Sequence, residues 1–424
     1  MISLYLDFDG VLIDSATEAP SVFRETITYF FEGVKDDSLF ECVNGLSVDK
    51  IAETLFIKLE SAIKSSHIAI KKEDIAKFIE DRWKEHYKNL SINTQICKEI
   101  EFLSSAGIKL ILATSASEEL IFNSIKPIRK FFDRVIDSSL IRPSKKDSTF
   151  WRNEIISNDS SFKYLLIDDN PDVIEAASTA NFGASLHKYG QSLFHSVANC
   201  LLSISEAPVT ARLTHDIEFK SSSIGLQSDQ LKKLKKDWDN HASANPATFD
   251  GKMCFIDCIK YTKSGLTTIS GQQLSYRYRL LDPPCFSLGV QCIIISKNRF
   301  LIGKRSKYNS DETLKYEFVP SGGVEELSSK GIKNIIYKEI IEETGINREE
   351  ILKIKPFGWT IDFKHMVIDI MYEVMISPLE LINPSQEHVE LKWIDISDLL
   401  TVNKSFFTLS SDAYLKLKVG CNDY

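Results

Sequence analysis

The sequence predicts two α/β units in tandem, on three observations. A chain of 424 residues exceeds what one core ordinarily organises, so two or three domains are expected. The first two hundred residues place the apolar runs "ISLYLDFDG", "IKLILATSAS" and "FKYLLIDDNPD" between helical stretches, as in a parallel sheet with crossovers. From Cys285 the texture changes to closely spaced strands around one glutamate-rich helix.

Taken in order, "ISLYLDFDG" reads as a buried strand running into a turn. Residues from about 16 to 95 read as helical. "SVFRETITYFFEGV", "VDKIAETLFIKLESAI" and "KEDIAKFIEDRWKEHYKNL" each repeat apolar residues at helical spacing. The strand–loop–helix runs after residue 100 complete a first unit of residues 1–203. "ISEAPVTARLTHD" supplies a connector over 204–216. In the next segment, 217–284, Leu231, Leu234 and Trp238 fall on one helical stripe, and the lysines opposite form a solvated face. "NP" and "FDGK" mark turns after it. In 285–424, "FSLGVQCIIIS" and "RFLIGKRS" flank "KN" as a hairpin. "YEFVPSGGV" leads into the glutamate helix, "MVIDIMYEVMI" and "VELKWIDIS" are later strands, and "DLL" begins a last helix.

Composition is that of a globular protein, 43% hydrophobic and 26% charged. A net charge of −8 argues against nucleic acid or an anionic membrane as partner. Small anionic substrates then need local positive charge or a metal ion. The eight cysteines show no paired metal-knuckle spacing, which predicts reduced thiols in a cytoplasmic protein. No signal peptide or membrane-spanning run is expected. Oligomeric state is left open.

Chemistry concentrates in two places. In the first unit, Asp7 and Asp9 lie two apart at a strand end, so both carboxylates can face one site. Thr114 ends a second buried strand, Lys145 and Lys146 follow in "SKKDSTF", and Asp168 and Asp169 end a third in "LLIDDNPD". Ligands of parallel α/β sheets bind at the carboxyl ends of strands, where these groups can converge.

Residues 1 to 200 thus resemble the haloacid dehalogenase superfamily, with all four motif positions present, and the helical insert resembles that family's cap domain. The resemblance implies a Rossmann-like domain whose Asp7 attacks phosphorus to give an aspartyl phosphate. Asp9 would protonate the leaving oxygen and then activate water. Thr114 would bond a phosphoryl oxygen. Lys146, favoured by the spacing to "DSTFW", or its neighbour Lys145, would neutralise charge. Mg²⁺ would be held by Asp7, the carbonyl of Asp9, and Asp169, with Asp168 as the alternative ligand and Asp172 one place off register. Family dehalogenases lack an acid two residues after the nucleophile, and the ATPases carry threonine there. Asp9 therefore implies a phosphatase, with a phosphomutase as the alternative.

In the second unit, "KEIIEETG" places Glu339, Glu342 and Glu343 on one helical stripe, where they repel unless cations intervene. Gly345 is positioned as the C-terminal cap. "SGGVEELSSKGIKNIIYKEIIEETGI" resembles the Nudix box, and the surrounding strands resemble an α/β/α-sandwich Nudix domain. The resemblance implies that Glu339, Glu342, Glu343 and the carbonyl of Gly323 hold Mg²⁺ or Mn²⁺ and polarise a diphosphate. Two departures stand out. Lys338 replaces the family's arginine, which loses a bidentate fork. One extra residue leaves Ser329 and Lys330 where an early glutamate belongs. "DWDNHASANPATFDGK" and "SYRYRLL" resemble the N-terminal extension of Nudix hydrolases related to the UDP-glucose-cleaving type. Arg277, Arg279, Lys304 and Arg305 are candidate phosphate contacts, and Glu387 or Glu390 a candidate accessory acid.

Together the two resemblances imply a bifunctional hydrolase acting on small phosphate and diphosphate substrates. The second unit would split a nucleotide-sugar-like diphosphate and the first would dephosphorylate a product or a related metabolite. The alternative is a phosphatase regulated by a nucleotide-sensing second unit.

Overall fold

The computed structural model describes residues 2–15, 19–31, 48–59, 70–137, 143–156, 163–204, 209–213, 217–224, 228–244, 250–262, 265–281, 285–306, 314–378, 388–401 and 407–419. The chain divides into two compact units, Met1–Ser205 and Glu206–Tyr424.

The first unit is built on five parallel strands: β1 (Ile2–Leu6), β2 (Lys109–Thr114), β3 (Phe132–Asp137), β4 (Lys163–Asp168) and β5 (Gly183–Leu186), in the order β3-β2-β1-β4-β5. β1 is buried along its whole length, as a strand covered on both faces must be. The order turns back on itself between β1 and β4, which opens a crevice at their carboxyl ends. Register sets the site: Leu6 pairs with Leu112 and Ile167, so the residues just beyond reach one level.

After β1 the described chain passes through α1 (Ala19–Phe30), α2 (Val48–Lys58) and α3 (Lys72–Asn89). Their apolar stripes meet in a separate core of Phe23, Ile27, Leu55, Ile75 and Ile79. Each such side chain buried contributes roughly 1.5–3 kcal/mol of hydrophobic stabilisation. The helices α4 (Thr94–Ser105), α5 (Glu118–Ile125), α6 (Ser148–Ile156), α7 (Pro171–Thr179) and α8 (Leu193–Ser203) complete the crossovers.

The second unit is a mixed sheet of eleven strands among the described residues. Its strands are β6 (Val209–Arg212), β7 (Glu218–Ser221), β8 (Lys252–Thr262), β9 (Gly265–Ser275), β10 (Phe286–Ser296), β11 (Arg299–Arg305), β12 (Tyr316–Phe318), β13 (Ser321–Gly323), β14 (Ile351–Asp362), β15 (Val367–Ile376) and β16 (His388–Asp395). Its helices are α9 (Ser228–Ala244), α10 (Ser329–Thr344), α11 (Ile396–Thr401) and α12 (Leu409–Val419). The expected hairpin at "KN" joins β10 and β11, with Lys297 in the left-handed region at φ 54. Gly345 caps α10 at φ 70, also as expected.

Two expectations are revised. The 204–216 connector contains β6, which pairs with β14; alternation in "VTAR" is too short to signal a strand, and the partner strand decides it. The segment before Cys285 extends the same sheet, because β8 pairs directly with β10. On α9, Leu234 and Trp238 are buried but Leu231 is 42% exposed, so the packed stripe is one turn shorter than its pattern. No described helix is long and apolar enough to cross a membrane.

Candidate active sites

In the first unit, three strand ends meet. Asp7 follows β1, and its N–H donates to the carbonyl of Ile167 on β4 at 3.0 Å. This bond sets Asp7 beside Asp168, the last residue of β4. Lys145 enters from the loop before α6 and donates to Asp7 Oδ1 at 2.8 Å, Asp168 Oδ2 at 3.0 Å and the Ala113 carbonyl at 3.1 Å. The indole of the fully buried Trp151 donates to the Lys145 carbonyl at 2.8 Å and pins the loop. Lys146, favoured on spacing, turns outward to the exposed Asp172 at 3.2 Å. Neighbouring residues in a loop point in different directions, and only the packing of Trp151 selects which lysine goes in.

Carboxylate oxygens of Asp7, Asp168 and Asp169 lie within 4.8 Å of one another. Gly10 stands at φ 72 beside Asp169, and a Cβ there would collide with that carboxylate. The residues therefore leave a cradle whose acids repel. Burial pushes Asp7 well above the usual carboxylate range, Asp168 adds to the rise, and Lys145 opposes it. Burial and then Asp168 raise Asp169 to about 6. Burial would lower Lys145, but Asp168 and Asp7 outweigh it and hold its ammonium charged. One lysine against three acids leaves net negative charge, which suits a hard divalent cation with oxygen ligands.

Asp9 is half-buried, and burial raises its carboxyl above the usual range. Tyr87, from the last turn of α3, donates to Asp9 Oδ1 at 2.9 Å. Nothing in "KEHYKNL" distinguishes this tyrosine from a core aromatic; its role emerges only when the helix packs over the sheet. Thr114 is fully buried, and its Oγ1 accepts from the Ala116 N–H at 3.0 Å, which orients the hydroxyl.

In the second unit, the three glutamates of α10 take different positions. Glu343 is buried and accepts from the Ser321 N–H at 3.2 Å; Glu339 is half-buried; Glu342 is exposed. Gly322 lets Glu339 lie across β13, because a Cβ there would meet its carboxylate. Gly323 pairs with Gly289 of β10 in the same ladder. Lys338 forms a 3.5 Å surface pair with Glu325.

A cavity of about 310 Å³ opens beside these glycines, lined among others by Arg279, Gln291, Arg305, Glu317 and Asp369. Burial, then Asp362, raises Asp369 to about 7, with Arg279 opposing. Of the candidate phosphate contacts, Arg279 and Arg305 line this cavity. Arg277 is instead tied to Asp250 and lies over the Trp238 ring at 5.7 Å. Lys304 lies over Tyr316 at 5.9 Å. Glu387 falls outside the described residues, and Glu390 is exposed, accepting from the Tyr316 hydroxyl at 3.4 Å. Their neighbour His388 is the residue that turns inward, buried between Glu317 and Glu343. A histidine in "QEHVELKW" was its one visible signal.

A model of the haloacid dehalogenase-like hydrolase family matches residues 4–184. No curated protein matches the sequence. A β-phosphoglucomutase from Clostridium difficile shares 18% identity over 47% of this chain and 88% of its own, with a TM-score of 0.37. CbbY from Rhodobacter sphaeroides, solved with phosphate, shares 17% over 45% of this chain and 90% of its own, with a TM-score of 0.35. The MutT protein of Methanosarcina mazei Go1 shares 20% over 32% of this chain and 94% of its own, with a TM-score of 0.23. The family match, lying over the parallel sheet and its acidic crevice, identifies residues 4–184 as a haloacid dehalogenase-like hydrolase domain.

Proposed function

We propose that the chain is a two-site, metal-dependent phosphohydrolase. The observation that carries this is the convergence of Asp7, Asp168 and Asp169, with one buried lysine bridging Asp7 and Asp168, at the switch point of a parallel sheet. In the first unit Asp7 attacks the phosphorus of a phosphomonoester and becomes an aspartyl phosphate. Asp9 gives its proton to the leaving oxygen; a carboxyl raised by burial retains that proton more readily near neutral pH. With its proton gone, Asp9 takes one from water, which then hydrolyses the aspartyl phosphate. Tyr87 of α3 holds Asp9, and the α1–α3 helices would serve as the cap over the crevice. Lys145 takes the charge-neutralising role and also holds Asp7 against Asp168. Thr114 supplies a hydroxyl to a phosphoryl oxygen. Asp7, Asp169 and the Asp9 carbonyl are the groups that would hold Mg²⁺, which when bound supplies charge neutralisation for the transferring phosphoryl group.

The second unit we read as a Nudix-type hydrolase of a nucleoside diphosphate linked to a further group. Glu339, Glu342, Glu343 and the Gly323 carbonyl would hold Mg²⁺ or Mn²⁺, which polarises the diphosphate. Arg279 and Arg305 place positive charge in the adjoining cavity. Cleavage yields monophosphates, the substrate class of the first unit. The test supplies Mg²⁺ and a panel of nucleotide sugars to the intact chain and follows free phosphate. Phosphate release that survives Glu342→Gln rules out the sequential scheme.

One observation favours a second reading, in which the second unit senses nucleotide and regulates the first. Lys338 stands where the Nudix family carries arginine, and it is engaged with Glu325 on the surface. Mass spectrometry separates the readings, since a sensor returns its nucleotide intact. A phosphomutase in the first unit would yield an isomerised sugar phosphate in place of free phosphate.

A further inference from the structure

The cavity of the second unit has β10 and β15 in its wall. Gly289 of β10 pairs with Asp369 of β15 and, on its other side, with Gly323 of β13. A Cβ on Gly289 would strike Asp369 Oδ1, so the missing side chain leaves room for that carboxyl. Gln291 stands two residues further along β10, on the same face and about 7 Å away. Gly322 and Gly323 border the cavity too, and Glu339 of the glutamate helix lies against Gly322. A diphosphate held at that helix would therefore lead one of its two substituents into the cavity.

Three polar groups of the lining lack a hydrogen-bond partner among the described residues. Asp369 is met by the charge of Arg279 but accepts no hydrogen bond. Gln291, 2% exposed, donates from Nε2 to the Ser410 and Ser411 hydroxyls at 3.4 Å, and its Oε1 has no partner. Turning the amide over leaves its nitrogen unmet instead. Arg305 donates from Nη1 to Glu317 at 2.7 Å, and its Nε has no partner. Unmet acceptors beside an unmet donor suit ligand groups that both donate and accept, as hydroxyls do. Asp369 offers an acceptor oxygen whether or not it is ionised. The described lining holds no Phe, Tyr or Trp, so a nucleobase finds no aromatic face to stack on. Glu317, Asp362 and Asp369 against two arginines also disfavour a further phosphate.

We propose that this cavity seats the sugar of a nucleoside diphosphate sugar, with Asp369 and Gln291 reading its hydroxyls and the nucleobase left outside. The proposal rests on the Nudix-type reading of the second unit and names the substituent that enters the cavity.

The test gives the intact chain two series of substrates with Mg²⁺. One series joins a single hexose to each of four nucleoside diphosphates. The other joins uridine diphosphate to hexoses that each lack one hydroxyl. Changing the base should alter kcat/KM less than about threefold, whereas removing a hydroxyl that is read should lower it about 10–100-fold. In Asp369→Ala the penalty for one of the deoxy sugars should shrink to within about threefold while the others persist. If that variant does not fold, Asp369→Asn, of the same size, should still change the same penalty. Selectivity that follows the base and ignores the sugar overturns the proposal, as does a sugar preference untouched by Asp369. Calorimetry of the same compounds then separates the two claims. Sugar-selective, Asp369-dependent binding without any cleavage sinks the Nudix-type reading alone. Cleavage that follows the base sinks the sugar seat alone.

Discussion

The two acidic clusters are assembled in opposite ways. In the first unit Asp7, Asp168 and Asp169 come from strands more than 150 positions apart, and Lys145 from a third segment between them. In the second, Glu339, Glu342 and Glu343 come from two turns of one helix. The first cluster carries its own buried counter-charge in Lys145. The second has a backbone amide and a histidine at Glu343. The contrast teaches that a cluster made by topology can be balanced by a residue from anywhere in the fold. A cluster made by helical pitch depends on whatever the neighbouring strands present.

The largest expected effect separates the two sites outright. Asp7→Asn should cut phosphomonoester hydrolysis about 10³-fold or more while leaving diphosphate cleavage intact, and Glu342→Gln should do the reverse. Parallel assays with a phosphomonoester and a nucleotide sugar check this; loss of both activities in either variant breaks the comparison.

Next comes the counter-charge. Lys145→Met leaves Asp7 and Asp168 buried without a cation and should cost about 3–5 kcal/mol in denaturant unfolding of the first unit. Lys146→Met, at a surface pair, should stay within about 0.5 kcal/mol. Equal effects would mean that Lys145 does not balance the crevice.

A smaller effect tests pH. His187 is buried against Ser196 Oγ at 2.8 Å, and burial lowers it from the ordinary 6.5 to about 4. Above pH 6.5 neither state binds the proton; between 6.5 and 4 the unfolded chain binds it and the folded chain does not. His187 should therefore remove up to roughly 3 kcal/mol of stability as pH falls through that window. The difference between wild type and His187→Gln, measured by urea unfolding at several pH values, should follow this slope. A flat difference contradicts it.

The smallest effect concerns the glutamate helix. Glu325→Gln breaks an exposed pair with Lys338 and should shift stability by no more than about 0.5 kcal/mol. A larger loss in thermal unfolding would show that the surface of α10 is more tightly coupled to its cluster than the fold indicates.

Much of both candidate sites was legible in the chain. Asp7 and Asp168 stand at the ends of apolar runs, and strand ends are where a parallel sheet binds ligands. The glutamate spacing and Gly345 marked a capped helix. The choice of Lys145 over Lys146 was not legible, because both occupy one loop and only the seat of Trp151 separates them. The sequence offers Asp168 and Asp169 as alternative ligands, yet both enter the cluster: Gly10 makes room for the second. Nothing in the sequence sets His388 apart from its glutamate neighbours, since a strand's inward face is known only once its partner strand is in place.

By itself the sequence determined what local periodicity and turn chemistry carry: buried parallel strands, an amphipathic helical insert, a capped helix of three acids, and the residue types able to hold cations. Tertiary structure alone decided which lysine is buried, that Tyr87 reaches Asp9, and that β6 joins the second sheet. It also set His388 opposite Glu343. The physical reason is range. Helical pitch and strand alternation act over a few residues, whereas a buried charge finds its partner only when register brings distant backbones to the same level.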